Sequence, residues 1–201
     1  MSNTGKKTLS SKTERLAGLG ILTAIIIVLQ IISTFVKFGP FSITLSLIPI
    51  IVGAAIYGVG AGAYLGAVFS AIVVIMCITG GDVGGAMVWN ANPIMCLVVC
   101  MLKGTLAGFE AGVHYKALEK NNKIIASVVA ALVSPIANTG IFIIGLVLFF
   151  KDTLALWAGG SDLLYYIVFG LTGVNFLVEL GVNIVLSPVI VRIIQAVKAN
   201  K

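Results

Sequence analysis

Long apolar stretches separated by short polar segments make up most of this 201-residue chain. A helix needs roughly 20 apolar residues to cross the hydrocarbon core of a bilayer, and each stretch is at least that long. One of them is too long for a single span and contains Tyr57-Gly58-Val59-Gly60, so we interpret it as a hairpin of two helices. The pattern predicts six transmembrane helices, over Leu16–Val36, Thr44–Ile78 (two helices), Pro93–Val113, Ile124–Phe150 and Leu163–Val191.

The composition favours a membrane protein built as one domain. Hydrophobic residues make up 59% of the chain, charged residues make up 10%, and the mean hydropathy is +1.13. A soluble globular domain has a much higher charged fraction. Six spans occupy nearly the whole chain, so we expect an all-α bundle over residues 16–198 after a polar tail over residues 1–15. Little sequence remains for a soluble catalytic domain.

The basic residues flank the spans and predict their orientation. A net charge of +6 could indicate nucleic acid, but the cations do not form a patch on one folded surface. With six spans, both termini and ten cations lie on one side, and only Lys37 and Lys151 lie on the other. Cytoplasmic loops carry the excess of Lys and Arg, so we expect both termini in the cytoplasm, with no nucleic-acid partner. The ten are Lys6, Lys7, Lys12, Arg15, Lys116, Lys120, Lys123, Arg192, Lys198 and Lys201.

Three external loops are then expected, at Lys37–Ile43, Thr79–Asn92 and Lys151–Asp162. The central one is rich in glycine, which allows backbone conformations suited to packing over a ligand. It ends in Trp89-Asn90-Ala91-Asn92, and these side chains favour a role in binding over a plain exposed turn. Trp89, Asn90 and Asn92 are therefore candidate ligand contacts.

Polar side chains inside the predicted spans indicate a site for a small molecule. Charges at such depth normally face the bundle interior or a wet cavity. With a rise of about 1.5 Å per residue, Lys103 lies about 15 Å from the outer end of its helix, and Asn138 and Asn175 lie about 18 Å from theirs. These three residues are therefore expected at a similar depth in the membrane, and Gln30 lies closer to the outer face, at about 9 Å from the outer end of its helix. We expect this layer to form a polar pocket with apolar walls.

Two further acidic residues leave an alternative for Lys103. Glu110 and Glu179 are expected deeper, at about 24 Å or more, and either could form an internal salt bridge with Lys103. Asn138 follows Pro135, so its side chain could instead satisfy a backbone group freed at a kink.

The cysteines and the motif content favour neither a metal site nor an enzyme. Cys96 and Cys100 share a helical face, but the sequence sets no His, Asp or third thiol beside them. Together with Cys77, they are interpreted as small apolar packing residues. The chain lacks the His-Glu-x-x-His, nucleophile-elbow and phosphate-loop motifs, and its one histidine is His114. We expect no enzymatic activity, metal or cofactor.

Small residues form ribbons along three helices. Gly104, Gly108 and Gly112 repeat every fourth position, as do Gly58, Gly62 and Gly66, and such faces let helix backbones approach closely in lipid. Internal packing is the expected role of these two ribbons. A shorter strip, Ala17, Gly20 and Ala24, is the best candidate for docking against a separate protein.

Several of these segments together resemble the substrate-binding S components of energy-coupling factor (ECF) transporters. The likeness covers nearly all of the chain beyond the N-terminal tail. The matching segments are Phe38-Gly39-Pro40-Phe41-Ser42-Ile43, Leu47-Ile48-Pro49-Ile50-Ile51-Val52-Gly53-Ala54, Tyr57-Gly58, Ala61-Gly62-Ala63-Tyr64-Leu65-Gly66, Leu102-Lys103-Gly104-Thr105-Leu106-Ala107-Gly108-Phe109 and Pro135-Ile136-Ala137-Asn138-Thr139-Gly140-Ile141-Phe142.

The resemblance implies a subunit in the bacterial plasma membrane that captures a vitamin from outside. It would assemble with a transmembrane coupling protein and two cytoplasmic ATPases, and rotate in the membrane to release the vitamin inside. The family's Ala-x-x-x-Ala strip on the first helix would correspond to Gly20 and Ala24, whereas Leu16 departs from the pattern. Family ligands lie between the fourth to sixth helices, near the outer face.

The charge of Lys103 and the first loop indicate the class of substrate. Lys103 would suit a carboxylate, which favours pantothenate or folate over neutral riboflavin, and the first loop and second helix look most like pantothenate-type members. The alternative is a self-contained oligomeric carrier or channel. Such a carrier is expected to contain an internal repeat, which this sequence does not show.

Overall fold

The structure is a computed structural model of the chain, and helices dominate it. It describes the backbone of residues 3–35, 37–38, 41–42 and 44–199, and the side chains of residues 12–35, 44–163, 165–167, 169–170 and 176–197. The described elements are α1 (Asn3–Ser33), β1 (Lys37–Phe38), β2 (Phe41–Ser42), α2 (Leu47–Tyr57), α3 (Val59–Thr79), α4 (Val83–Ala91), α5 (Pro93–Leu118), α6 (Lys123–Phe149), α7 (Lys151–Ala158), α8 (Leu163–Tyr165), a π-helical segment (Tyr166–Gly173) and α9 (Val174–Ala199).

Five helices in the described part of the chain are long and apolar enough to cross a membrane. They are α3, α5, α6, the Lys12–Ser33 part of α1 and the Phe176–Val197 part of α9. The remaining predicted span, the second in chain order, corresponds to α2, whose 11 residues extend only about 16 Å. Eight of those residues are buried, so α2 lies inside the bundle.

The predicted break between the second and third helices is confirmed. Helix α2 ends at Tyr57 and α3 begins at Val59, with Gly58 between them at φ +93°. Residues with a side chain rarely adopt this backbone conformation, which explains the glycine. Unlike Gly62 and Gly66, Gly58 therefore serves the turn and not a helix contact.

Two of the predicted external loops are largely helical, which corrects the expectation of a glycine-rich loop at Thr79–Asn92. Residues 83–91 form α4, because the Asp82 side chain accepts a hydrogen bond from the Gly85 backbone N–H at 2.7 Å and caps the helix. The third loop likewise contains α7. The first forms a two-residue antiparallel hairpin, in which Lys37 pairs with Ser42, and its side chains lie outside the described residues.

The two long glycine ribbons pack against each other and confirm the prediction of internal packing. A Cβ atom at Gly62 would strike the carbonyl oxygen of Gly108, and one at Gly66 would strike that of Gly104. This order of pairs shows that α3 and α5 run antiparallel. Their backbones are in contact, which only glycine permits.

The start of α1 and the end of α9 lie at the same end of the bundle. Helix α4 connects α3 to α5 at the other end, called here the α4 end, where Gln30 near the end of α1 contacts Met76 near the end of α3. Ile194 in the last helix packs in one core cluster with Tyr115 and Ala126, at the end that is remote from α4. Residues 3–15 of the predicted tail belong to α1, which begins at Asn3.

Candidate ligand-binding cavity

A cavity of about 80 Å³ lies within the bundle near the α4 end. One water molecule needs roughly 10–15 Å³ of such space, so the cavity has room for several. Helices α1, α3, α5, α6 and α9 contribute to its wall, and α4 contributes Gly85 and Val88. Most of the wall is apolar, and its polar side chains are Gln30, Thr44, Asp82, Lys103, Thr139 and Glu179.

Lys103 carries the positive charge of the cavity. Its Nζ atom lies 4.6 Å from the centre of the Phe142 ring, which is the geometry of a cation–π contact between α5 and α6. No ion pair joins Lys103 to Glu110 or Glu179 among the residues that the structure describes. Glu110 instead approaches His114, with 3.4 Å between Oε2 and Nδ1. The cation is thus in contact with an aromatic face and not in a direct ion pair with either carboxylate.

Glu179 lines the same cavity, although residue counting had set it deeper than Lys103. The π-helical segment before α9 advances less per residue than an α-helix, which brings Glu179 closer to the α4 end. Helical side chains also tilt towards the N-terminus of their helix, and in α9 this is the same direction.

The Glu179 side chain is only 5% exposed, and Lys103, Thr44 and Asn138 lie near enough to act on its carboxyl group. Its Oε1 atom has no hydrogen-bond partner among the described residues. A buried oxygen in this position costs free energy unless a donor reaches it.

Gln30 and Asn138, both predicted to belong to the site, are buried at 6% and 4% exposure. The Gln30 side chain lines the cavity, accepts a hydrogen bond from Ser46 Oγ at 3.1 Å and donates one to Met76 Sδ at 3.7 Å. Its amide is therefore fixed in orientation. Asn138 lies beside Glu179 but is not among the described residues of the wall, and its Oδ1 atom has no partner in the described part of the chain. The side chain of Asn175 lies outside the described residues.

The structure does not bring Trp89, Asn90 and Asn92 into the described wall of the cavity. Trp89 is half-buried against the apolar cluster beside α4, and Asn90 is exposed. Asn92 caps α5, since its Oδ1 atom accepts a hydrogen bond from the Met95 backbone N–H at 3.1 Å. The segment over residues 89–92, which suggested ligand binding in the sequence, therefore lies at the junction between α4 and α5.

The structure places a third thiol, that of Cys77, beside Cys96 and Cys100, which the sequence had put on one helical face. Cys77, Cys96 and Cys100 all line the cavity, and their sulfur atoms lie within 4.8 Å of one another. Cys77 stands near the end of α3 and Cys96 near the start of α5, so antiparallel pairing of these two helices would have predicted that the thiols meet. Sequence reasoning missed this meeting, together with Thr44 and Phe142, and it had set Glu179 deeper than the pocket.

The strip on α1 is exposed. Ala17, Gly20 and Ala24 all face outwards, and a Cβ atom at Gly20 would meet nothing within 4 Å. Only 17% of the apolar window of α1 is buried, the lowest share among the five long apolar helices. The strip therefore does not pack inside the described bundle.

A bundle of apolar helices around a cavity whose described wall has one cation and few other polar groups is the arrangement typical of a membrane protein with a site for a small solute. Comparison with known families matches residues 14–191 to the family described as ECF transporter, substrate-specific component. The chain belongs to this family, whose members are membrane transporter subunits and not enzymes. No curated protein matches the chain.

Proposed function

We propose that this protein is the high-affinity vitamin-binding subunit of an ATP-driven ECF importer, and that its ligand is a small water-soluble vitamin with a carboxylate. The observation that carries the proposal is the Lys103 ammonium group in the wall of a largely apolar cavity, with an aromatic face beside it. Pantothenate is the favoured ligand, followed by folate and riboflavin.

The charge of Lys103 supports an anionic ligand. A cation in a low-dielectric cavity is costly unless an anion approaches it, and a charge-assisted hydrogen bond to a carboxylate is about twice as strong as a neutral one. Neutral riboflavin would bring no anion to Lys103, so it ranks last.

Glu179 and Gln30 support a ligand that also offers hydrogen-bond donors. The Glu179 Oε1 atom accepts no hydrogen bond from the described residues, and the Gln30 amide is fixed at the wall. Pantothenate carries a carboxylate at one end and hydroxyl and amide N–H groups along the rest of the molecule. Its carboxylate would pair with Lys103, and its donors would reach towards Glu179.

The exposed strip on α1 supports a partner within the membrane. Ala17, Gly20 and Ala24 allow close approach of another helix, because they present little side-chain bulk. We assign this strip to the transmembrane coupling protein, which would connect the subunit to two cytoplasmic ATPases. The host membrane would be the plasma membrane of a bacterium, crossed six times with both termini in the cytoplasm.

Equilibrium binding to the purified full chain tests the ligand assignment. Pantothenate, folate and riboflavin are titrated separately in detergent, and the amide of pantothenate's carboxyl group serves as an uncharged matched control. Saturable 1:1 binding of pantothenate, with much weaker binding of the amide, is expected. Equal binding of the acid and its amide would contradict recognition by Lys103, and capture of a neutral vitamin alone would overturn the ligand class.

A further inference from the structure

The three cysteines of the chain converge on one place in the cavity wall, and we propose that they bind a thiophilic metal ion of the class of Zn²⁺ or Cu(I). Cys77, Cys96 and Cys100 are all buried, none forms a disulfide, and their sulfur atoms lie within 4.8 Å of one another. The sequence contains no other cysteine, so two helices bring together every thiol available.

The spacing of the sulfur atoms fits a shared ion. Zinc–thiolate bonds are about 2.3 Å long, so three ligands around one ion stand roughly 3.8–4.0 Å apart. A contraction of about 1 Å or less would therefore bring the triad to ligation distance, and side-chain rotation supplies such a movement. Cys96 and Cys100 are four residues apart on one face of α5, and Cys77 approaches that face from α3.

The chemistry of the donors selects the ion. Thiolate ligands favour Zn²⁺ and Cu(I) over Ca²⁺ and Mg²⁺, which take oxygen ligands. Binding of Zn²⁺ to three thiols forms three Zn–S bonds, releases three protons to the solvent and leaves a complex with net charge −1. Lys103 follows Cys100 by three residues on the same helix face and lies near enough to Cys96 and Cys100 to offset that charge.

The position in the cavity wall gives the site an open side. Zinc is normally four-coordinate, so three protein ligands leave one position for a water molecule or for a donor atom in the cavity. A bound ion would thus add a Lewis-acidic group to a wall that otherwise has Lys103 as its cation. The proposal does not depend on which vitamin the protein binds, since the triad is defined by its own geometry.

Metal binding to the reduced full chain in detergent, without vitamin, tests the proposal. Competition with a chromophoric chelator is expected to show one Zn²⁺ per chain. Cys77→Ser, Cys96→Ser and Cys100→Ser are each expected to weaken binding at least tenfold. Met101→Leu is the matched control, because it removes a sulfur beside Cys100 that does not line the cavity, and it should leave zinc affinity unchanged.

Several results would overturn the site. They are the absence of zinc retention by reduced wild-type protein, an unchanged affinity in Cys77→Ser, or a Met101→Leu effect as large as that of the cysteine variants. Cd²⁺ provides a readout on the wild-type chain in case a variant does not fold. Its sulfur-to-metal charge-transfer absorption should have the intensity of three thiolates per ion, and the intensity of two or fewer would contradict the triad.

Discussion

The Nζ atom of Lys103 on α5 lies 4.6 Å from the centre of the Phe142 ring on α6. This contact holds a cation at the cavity without neutralising it, because an aromatic face attracts the ammonium group but leaves its N–H donors for other partners. The pair therefore positions a charge for a ligand, and both side chains can be tested separately and together.

Lys103→Met is expected to weaken capture of an anionic vitamin roughly tenfold to a hundredfold, or about 1.5–3 kcal/mol, through loss of one charge-assisted contact. Binding to the purified protein measures the change. Lys116→Met, an exposed residue near the end of the same helix, is the control and should have no effect. Collapse of folding in Lys103→Met, rescued by Glu179→Gln, would show that Lys103 is instead a structural partner of Glu179.

Phe142→Leu keeps the wall apolar but removes the aromatic face. We expect a loss of about 0.5–2 kcal/mol, or roughly twofold to thirtyfold in vitamin affinity, because the cation is no longer held in place. The double variant with Lys103→Met should bind no more weakly than Lys103→Met alone, since the ring acts through the cation. Strict additivity of the two effects would indicate that Phe142 contacts the ligand independently of Lys103.

Gly66→Ala is expected to lower the thermal unfolding midpoint in detergent. The added Cβ would strike the carbonyl oxygen of Gly104, and a backbone atom in a packed helix cannot move aside, so a cost of about 1–3 kcal/mol is expected. Gly140→Ala on α6 is the matched control, because a Cβ there meets nothing within 4 Å. That change should leave stability unchanged or raise it slightly. Equal effects of the two would refute the close contact of α3 and α5.

Gly20→Leu combined with Ala24→Leu is expected to leave vitamin affinity of the isolated protein nearly unchanged, because the strip is remote from the cavity. Uptake by cells and co-purification with the ATPase subunits should both fall sharply, since bulk on α1 blocks close approach of the coupling protein. Ala71→Leu, at an exposed small residue on α3, is the control and should preserve uptake. Normal uptake in the double variant would exclude the strip as the docking surface.

Thiol labelling in intact cells tests the orientation. Ser161→Cys, at an exposed position between α7 and α8, should react with an impermeant reagent, whereas Asn121→Cys between α5 and α6 should not. Ser161 is preferred to its neighbour Asp162, which caps α8 by accepting a hydrogen bond from the Tyr165 backbone N–H at 2.9 Å. The three native cysteines are buried and give little background. Reaction at Asn121→Cys alone would show that the protein has the opposite orientation in the membrane.

The sequence by itself determined the class of the protein, because the length and apolarity of a stretch decide whether it can form a membrane-crossing helix. It also predicted the break at Gly58 and the internal role of the glycine ribbons, since a turn with positive φ and a close helix contact both demand glycine locally. Lys103 and Gln30 were predicted as site residues because lipid would otherwise exclude such polar groups, and both line the cavity.

Only the tertiary structure decided which of these residues meet. It placed Glu179 in the cavity with Lys103, brought Cys77 to Cys96 and Cys100, and used Asn92 as a helix cap. It also showed that α2 is short and buried, and that α4 forms where a loop was expected. The physical reason is that the depth of a residue in the membrane follows from its position along its own helix, which residue spacing gives directly. The rotation and offset of one helix against another depend on backbone contacts such as that between Gly66 and Gly104, which no single segment encodes.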